Sequence, residues 1–77
     1  MTHQQVLDKL AESLGLAPGV LTADSKADDF TEWDSMGVLS IMTMLAHEGI
    51  TFDPGKTSLL RSADGVLRIF RDGGQLS

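Results

Sequence analysis

Apolar residues return at helical spacing in three stretches of this chain, and no two segments alternate in a way that could pair them as strands. Val6, Leu7, Leu10, Ala11 and Leu14 mark the first stretch, with Asp8, Lys9 and Glu12 on the other face. Thr2 and Gln5 have the spacing of a capping box, and Gly15 stands where a left-handed cap ends a helix, with Leu16 folding back. The spacing predicts a helix over about 3–14. Asp34 reads as the N-cap of a second helix, about 35–48, stopped by Gly49. Leu59 and Leu60 predict a short third segment, about 56–60, after the Asp53-Pro54-Gly55 turn. Ser62 caps a last helix, about 62–72, whose apolar face is Val66, Leu67, Ile69 and Phe70. A strand at 66–70 would have nothing to pair with. The expectation is one all-α domain over 1–77: three main helices, a short third one, and a frayed tail at 73–77.

Pro18-Gly19 marks a turn, after which Val20 and Leu21 are expected to dip into the core. Residues 22–34 then form a long loop holding Asp24, Asp28, Asp29, Glu32 and Asp34, with Phe30 and Trp33 as its apolar pins. Trp33 is expected to be only partly buried. Such acid density raises calcium, but the EF-hand pattern needs a central glycine and a terminal glutamate, and neither is in place. A solvated acidic loop is the reading adopted. In the second helix, Val38, Leu39, Ile41, Met42, Leu45 and Ala46 are placed on the inward arc. Met36, Gly37, Ser40, Thr43, Met44, His47 and Glu48 are placed outward, where methionine suits adaptable contacts.

Charge narrows the function classes. The net charge is −5, and residues 1–54 carry nine acidic and two basic side chains while 55–77 carry two acidic and four basic ones. Phosphates would be repelled by the acidic part, so nucleic acid is not an expected partner, whereas basic protein surfaces are. The first residues lack the basic and apolar runs of a signal peptide, and no apolar run approaches a membrane span. A cytoplasmic monomer without membrane insertion is expected. There is no cysteine, so any thiol the protein uses must come from outside the sequence. His3 and His47 lie far apart, with no ligand-like or catalytic spacing; neither a metal site nor an enzyme is expected.

Ser35 stands apart. It ends the long loop and opens the second helix directly behind Asp34. A hydroxyl there is exposed, and the helix N-terminus offers N–H groups and partial positive charge to a phosphate attached to it.

Asp34-Ser35-Met36 resembles the Asp-Ser-Leu or Asp-Ser-Met signature of acyl carrier proteins, and Trp33-Asp34-Ser35 resembles a version common outside housekeeping fatty-acid carriers. Leu14-Gly15-Leu16 at the end of the first helix is similar to the family's Leu-Gly-Val, and the likeness runs over about 3–72. The resemblance implies a right-handed four-helix bundle and a 4′-phosphopantetheine arm joined to Ser35, beside Asp34 and Met36, by a phosphopantetheinyl transferase. The arm's thiol would carry acyl groups as thioesters between acyl-activating and acyl-transferring enzymes. Partner contacts are expected at Asp34, Met36, Ser40, Met44 and Glu48. The second helix departs from fatty-acid carriers in having Gly37, Ser40 and Ala46 where the family often carries acids. A specialised lipid, polyketide or related pathway is therefore expected. A D-alanyl-type aminoacyl carrier and an acidic helical interaction module without cofactor are the alternatives.

Overall fold

The computed structural model describes residues 1–76, and within them the chain is an all-α bundle. Helix α1 is His3–Leu14, α2 is Ser35–His47 and α3 is Ala63–Asp72. A 3₁₀ turn, Ala27–Asp29, interrupts the first long loop, and a 3₁₀ segment, Pro54–Arg61, joins α2 to α3. Each helix starts where its side chains can satisfy the free N–H groups of its first turn. Thr2 and Gln5 form the reciprocal capping box of α1. Asp34 caps α2, and the Ser62 hydroxyl accepts the Gly65 N–H at 3.0 Å to cap α3. Gly15 closes α1 in the left-handed region at φ 75°, while Leu16 donates its N–H to the Ala11 carbonyl at 2.8 Å.

One core serves all the elements. Val6 and Leu10 of α1, Ile41 and Leu45 of α2, Leu60, and Val66 and Phe70 of α3 are fully buried together. The segment before α3 begins earlier than the 56–60 expected, because the Asp53 carboxylate accepts the Gly55 N–H at 2.9 Å and starts a turn at Pro54. It is a 3₁₀ segment bent at Lys56, not a regular helix (φ −111°, ψ 30°).

The 15–34 loop is tied down more firmly than its composition implies. Ser25 is buried: its hydroxyl accepts the Thr22 N–H at 2.9 Å and its carbonyl accepts the Ala63 N–H at 2.9 Å. An isolated antiparallel bridge pairs Lys26 with Ser62 beside it. Leu21 enters the core as expected, but Val20 stands exposed. Phe30 packs partly buried against the core. Trp33 is only 3% exposed, deeper than expected, because its indole N–H reaches the Leu60 carbonyl at 2.8 Å. Without that acceptor the indole nitrogen would oppose burial.

The tail departs from the frayed end expected for 73–77. Gln75 donates its N–H to the Phe70 carbonyl at 2.9 Å and its side-chain amide to the Glu48 carbonyl at 3.3 Å. The Met1 ammonium donates to the Gln75 carbonyl at 2.7 Å, and Leu76 packs partly buried against the core. Carbonyls at the ends of α2 and α3 need partners, and residue 75 supplies them. Ser77 lies outside the described residues.

Removing Trp33 should be expensive in stability. Trp33→Ala is expected to destabilise by about 3–5 kcal/mol, the range for a buried aromatic. Trp33→Phe should lose about 1–3 kcal/mol, since it strands the Leu60 carbonyl. Urea unfolding followed by far-ultraviolet circular dichroism measures both, and a loss below 1 kcal/mol for Trp33→Ala would contradict this account.

Candidate functional site

Ser35 is the first residue of α2 and lies exposed. The backbone beneath it is fixed from three sides. Asp34 accepts the Gly37 N–H on its carboxylate at 3.0 Å and the Val38 N–H on its carbonyl at 2.9 Å. Trp33 anchors the preceding residue in the core and donates its own N–H to the Phe30 carbonyl at 3.2 Å. Gly37 is buried so tightly that an added Cβ would sit 2.7 Å from the Glu32 carbonyl oxygen and 2.7 Å from a Leu14 methyl. The first turn of α2 thus presses on both the acidic loop and the end of α1, leaving the Ser35 side chain toward solvent on a stiff base.

Gly37 was placed on the outward arc by sequence, and the structure corrects that. The buried residues of α2 are Gly37, Ile41 and Leu45. At about 100° per residue, this inward face is turned by roughly 80° from the arc expected, close to one residue step. Leu39 and Ala46 therefore lie outward and exposed, not in the core. Met44 moves to a half-buried position against the core. The cause is the close approach at Gly37: a helix seats its smallest side chain where the backbones come nearest, and hydrophobicity gives a glycine no inward vote. A glycine in the first turns of a helix, where it weakens helix propensity, was the signal available.

The five residues expected to contact partners fall into two groups. Asp34 and Met36 flank Ser35, and Met36 is 71% exposed. Ser40, Met44 and Glu48 instead line a shallow groove against α1, with Lys9, Glu12 and Ser13 opposite. Glu48 is engaged there, its carboxylate meeting the Lys9 ammonium at 2.8 Å. Accepting that hydrogen bond, and lying close as a negative charge, Glu48 raises the Lys9 pKa above its ordinary value. The part of the pair's contribution that depends on the Lys9 charge is thus present at neutral pH and is lost as pH rises through that raised value. Leu39, which the sequence reading put inside, is 56% exposed one turn from both Ser35 and Met36.

The remaining candidates do not converge on Ser35. His47 is thirteenth in the same helix, about 18 Å away along the axis, and His3 is exposed on the first turn of α1. At that separation the His47 imidazole does not reach the Ser35 hydroxyl through one hydrogen bond. Among the described residues, no three His, Asp or Glu side chains converge as metal ligands would. Asp29 turns its carboxylate onto the Lys26 N–H at 3.3 Å, shaping the loop instead. Among the described residues, no helix is long and apolar enough to cross a membrane.

Comparison with known proteins gives no match, whether to family models, curated proteins or solved structures.

Two effects of opposite sign compete at Gly37. Gly37→Ala should gain about 0.8–1 kcal/mol in helix propensity. It should lose about 1–3 kcal/mol by overpacking, since one of the two atoms it meets is a backbone oxygen with little room to retreat. Net destabilisation is expected in thermal or urea unfolding, and a net gain would show that the loop yields easily.

Proposed function

We propose that this chain is an acyl carrier protein in which Ser35 bears a 4′-phosphopantetheine arm. The observation that carries the reading is the exposed serine at the first position of α2, directly behind the capping Asp34 and held on the Trp33–Gly37 base. The residues fit the group chemically. The serine is exposed, and α2 points its N-terminal partial positive charge at a phosphodiester placed there. The Asp34 carboxylate opposes that charge in part, but it is turned onto the Gly37 N–H as a cap.

In loading, the Ser35 oxygen attacks the phosphorus of coenzyme A that bears the pantetheine. The new O–P bond forms as the pyrophosphate P–O bond breaks, adenosine bisphosphate leaves, and the serine proton passes to a base of the transferase. Once attached, the group supplies the thiol that this cysteine-free chain lacks and holds acyl cargo as a thioester. What the chain contributes is a fixed point of attachment, a charged and soluble body, and a surface around Ser35 that enzymes can recognise. The expected partners are a phosphopantetheinyl transferase and the enzymes that load and unload acyl groups in a specialised lipid, polyketide or related pathway. A net charge of −5 disfavours self-association and so accords with a monomer in this role.

Intact mass after incubation with coenzyme A and a broad-specificity transferase tests the assignment. The parent should gain one phosphopantetheine mass, and Ser35→Ala should gain none while keeping its helical circular dichroism. Modification persisting in Ser35→Ala, or absent from the parent while a control carrier is modified, would refute it. In the second case the remaining reading is a helical interaction module without cofactor, which the exposed Met36 and Leu39 also suit.

A further inference from the structure

We infer that Trp33 shuts the interior of the bundle to whatever Ser35 carries, so that the cargo is a short or polar acyl group held in solvent. The inference rests on the carrier reading and deepens it by naming the class of cargo. An acyl chain that leaves Ser35 for the core has to pass beside the first turn of α2. Two seams border that turn, one toward α1 and one toward the Pro54–Arg61 segment.

Both seams are closed by contacts. On the α1 side, Gly37 lies against a Leu14 methyl and the Glu32 carbonyl, without room for one added carbon. On the other side, the Trp33 indole spans from the start of α2 to Leu60 and donates to its carbonyl at 2.8 Å. Trp33 is 3% exposed, and Ile41, Leu45 and Leu60 of the same core are wholly buried. An interior packed to that degree takes no extra methylenes without displacing a side chain. Displacing the indole breaks its hydrogen bond as well as its packing, so Trp33 resists more than an aliphatic side chain there would. A hollow of about 450 Å³, lined in part by Ile50, Phe52, Leu59 and Ile69, opens instead where Gly49 and Ile50 follow α2, at the end opposite Ser35. A long apolar chain on Ser35 would stay in water at a cost that grows with each methylene. A short or polar acyl group has little to gain from burial.

The test loads the full chain with a broad-specificity phosphopantetheinyl transferase and acyl-coenzyme A donors from acetyl to dodecanoyl, verified by intact mass. Trp33 is the only tryptophan, so its emission reports directly whether the indole moves. In the parent, emission, thermal midpoint and the rate of thioester cleavage by hydroxylamine should not change with chain length. In Trp33→Ala the vacated space should admit the longer chains, raising the midpoint by several degrees and slowing cleavage. Trp33→Leu, a smaller truncation, repeats the comparison if circular dichroism shows Trp33→Ala unfolded. A parent midpoint that climbs with chain length overturns the inference. With shifted emission the cargo then enters past Trp33, and with unchanged emission it occupies the far hollow. No length dependence in a folded Trp33 variant overturns the assignment to Trp33. No loading of the parent beside a working control overturns the carrier reading and this inference with it.

Discussion

The hydrogen bond from the Trp33 indole to the Leu60 carbonyl joins the two halves of this small bundle. It is buried, it spans 27 positions of sequence, and it fixes the residue two places before Ser35 against the segment that leads into α3. A 77-residue chain has little core to spare, so the largest aromatic in it carries a large share of the burial. The same contact decides where α2 begins. With Trp33 locked in the core, Asp34 is left extended at φ −105° to cap, and Ser35 follows as the first helical residue. The Ser25 carbonyl and the Lys26–Ser62 bridge pin the other end of the acidic loop to the start of α3. A loop that looks free in composition is held at both ends.

That arrangement separates stiffness from exposure. Loops and helix ends are ordinarily the mobile parts of a small domain. Here the exposed residue of interest stands on a turn whose neighbours are a buried indole, a buried glycine in contact with a backbone oxygen, and a capping carboxylate. Mobility, on the carrier reading, resides in the attached arm, while the attachment point keeps one position and one direction. An enzyme that recognises the surface around Ser35 then meets the same geometry each time and need not order a loop on binding, which would weaken the complex.

Much of this was legible in sequence where local chemistry decides the outcome. The caps at Thr2, Asp34 and Ser62 and the stop at Gly15 need only neighbouring residues, and α1, α2 and α3 begin and end within a residue or so of the expected positions. The apolar face of α3 was equally plain, because Val66, Leu67, Ile69 and Phe70 leave little choice. The face of α2 was not. Its composition is apolar on most sides, so periodicity alone could not orient it, and the deciding contact, Gly37 against Glu32 and Leu14, is tertiary. The burial of Ser25 and the docking of Gln75 and Leu76 were hidden for the same reason: each depends on carbonyls or core surface supplied from distant segments.

The rotation of α2 also changes what its composition means. With Leu39 inside, the outward face would read as a polar surface with two stray methionines, and Glu48 would be the acid on it. In the fold, Glu48 turns to Lys9 of α1, Met44 settles half-buried, and Leu39 comes out beside Met36. Charge and apolar surface are thereby sorted along one axis, acids at the loop and hydrophobes one turn into the helix. An ion pair partly open to solvent, such as Lys9–Glu48, contributes little to stability. Its larger consequence is to engage the one carboxylate that α2's end would otherwise leave toward solvent. The surface around Ser35 is thereby left with more apolar area than charge along α2, which on the carrier reading would make contact area its main feature for recognition.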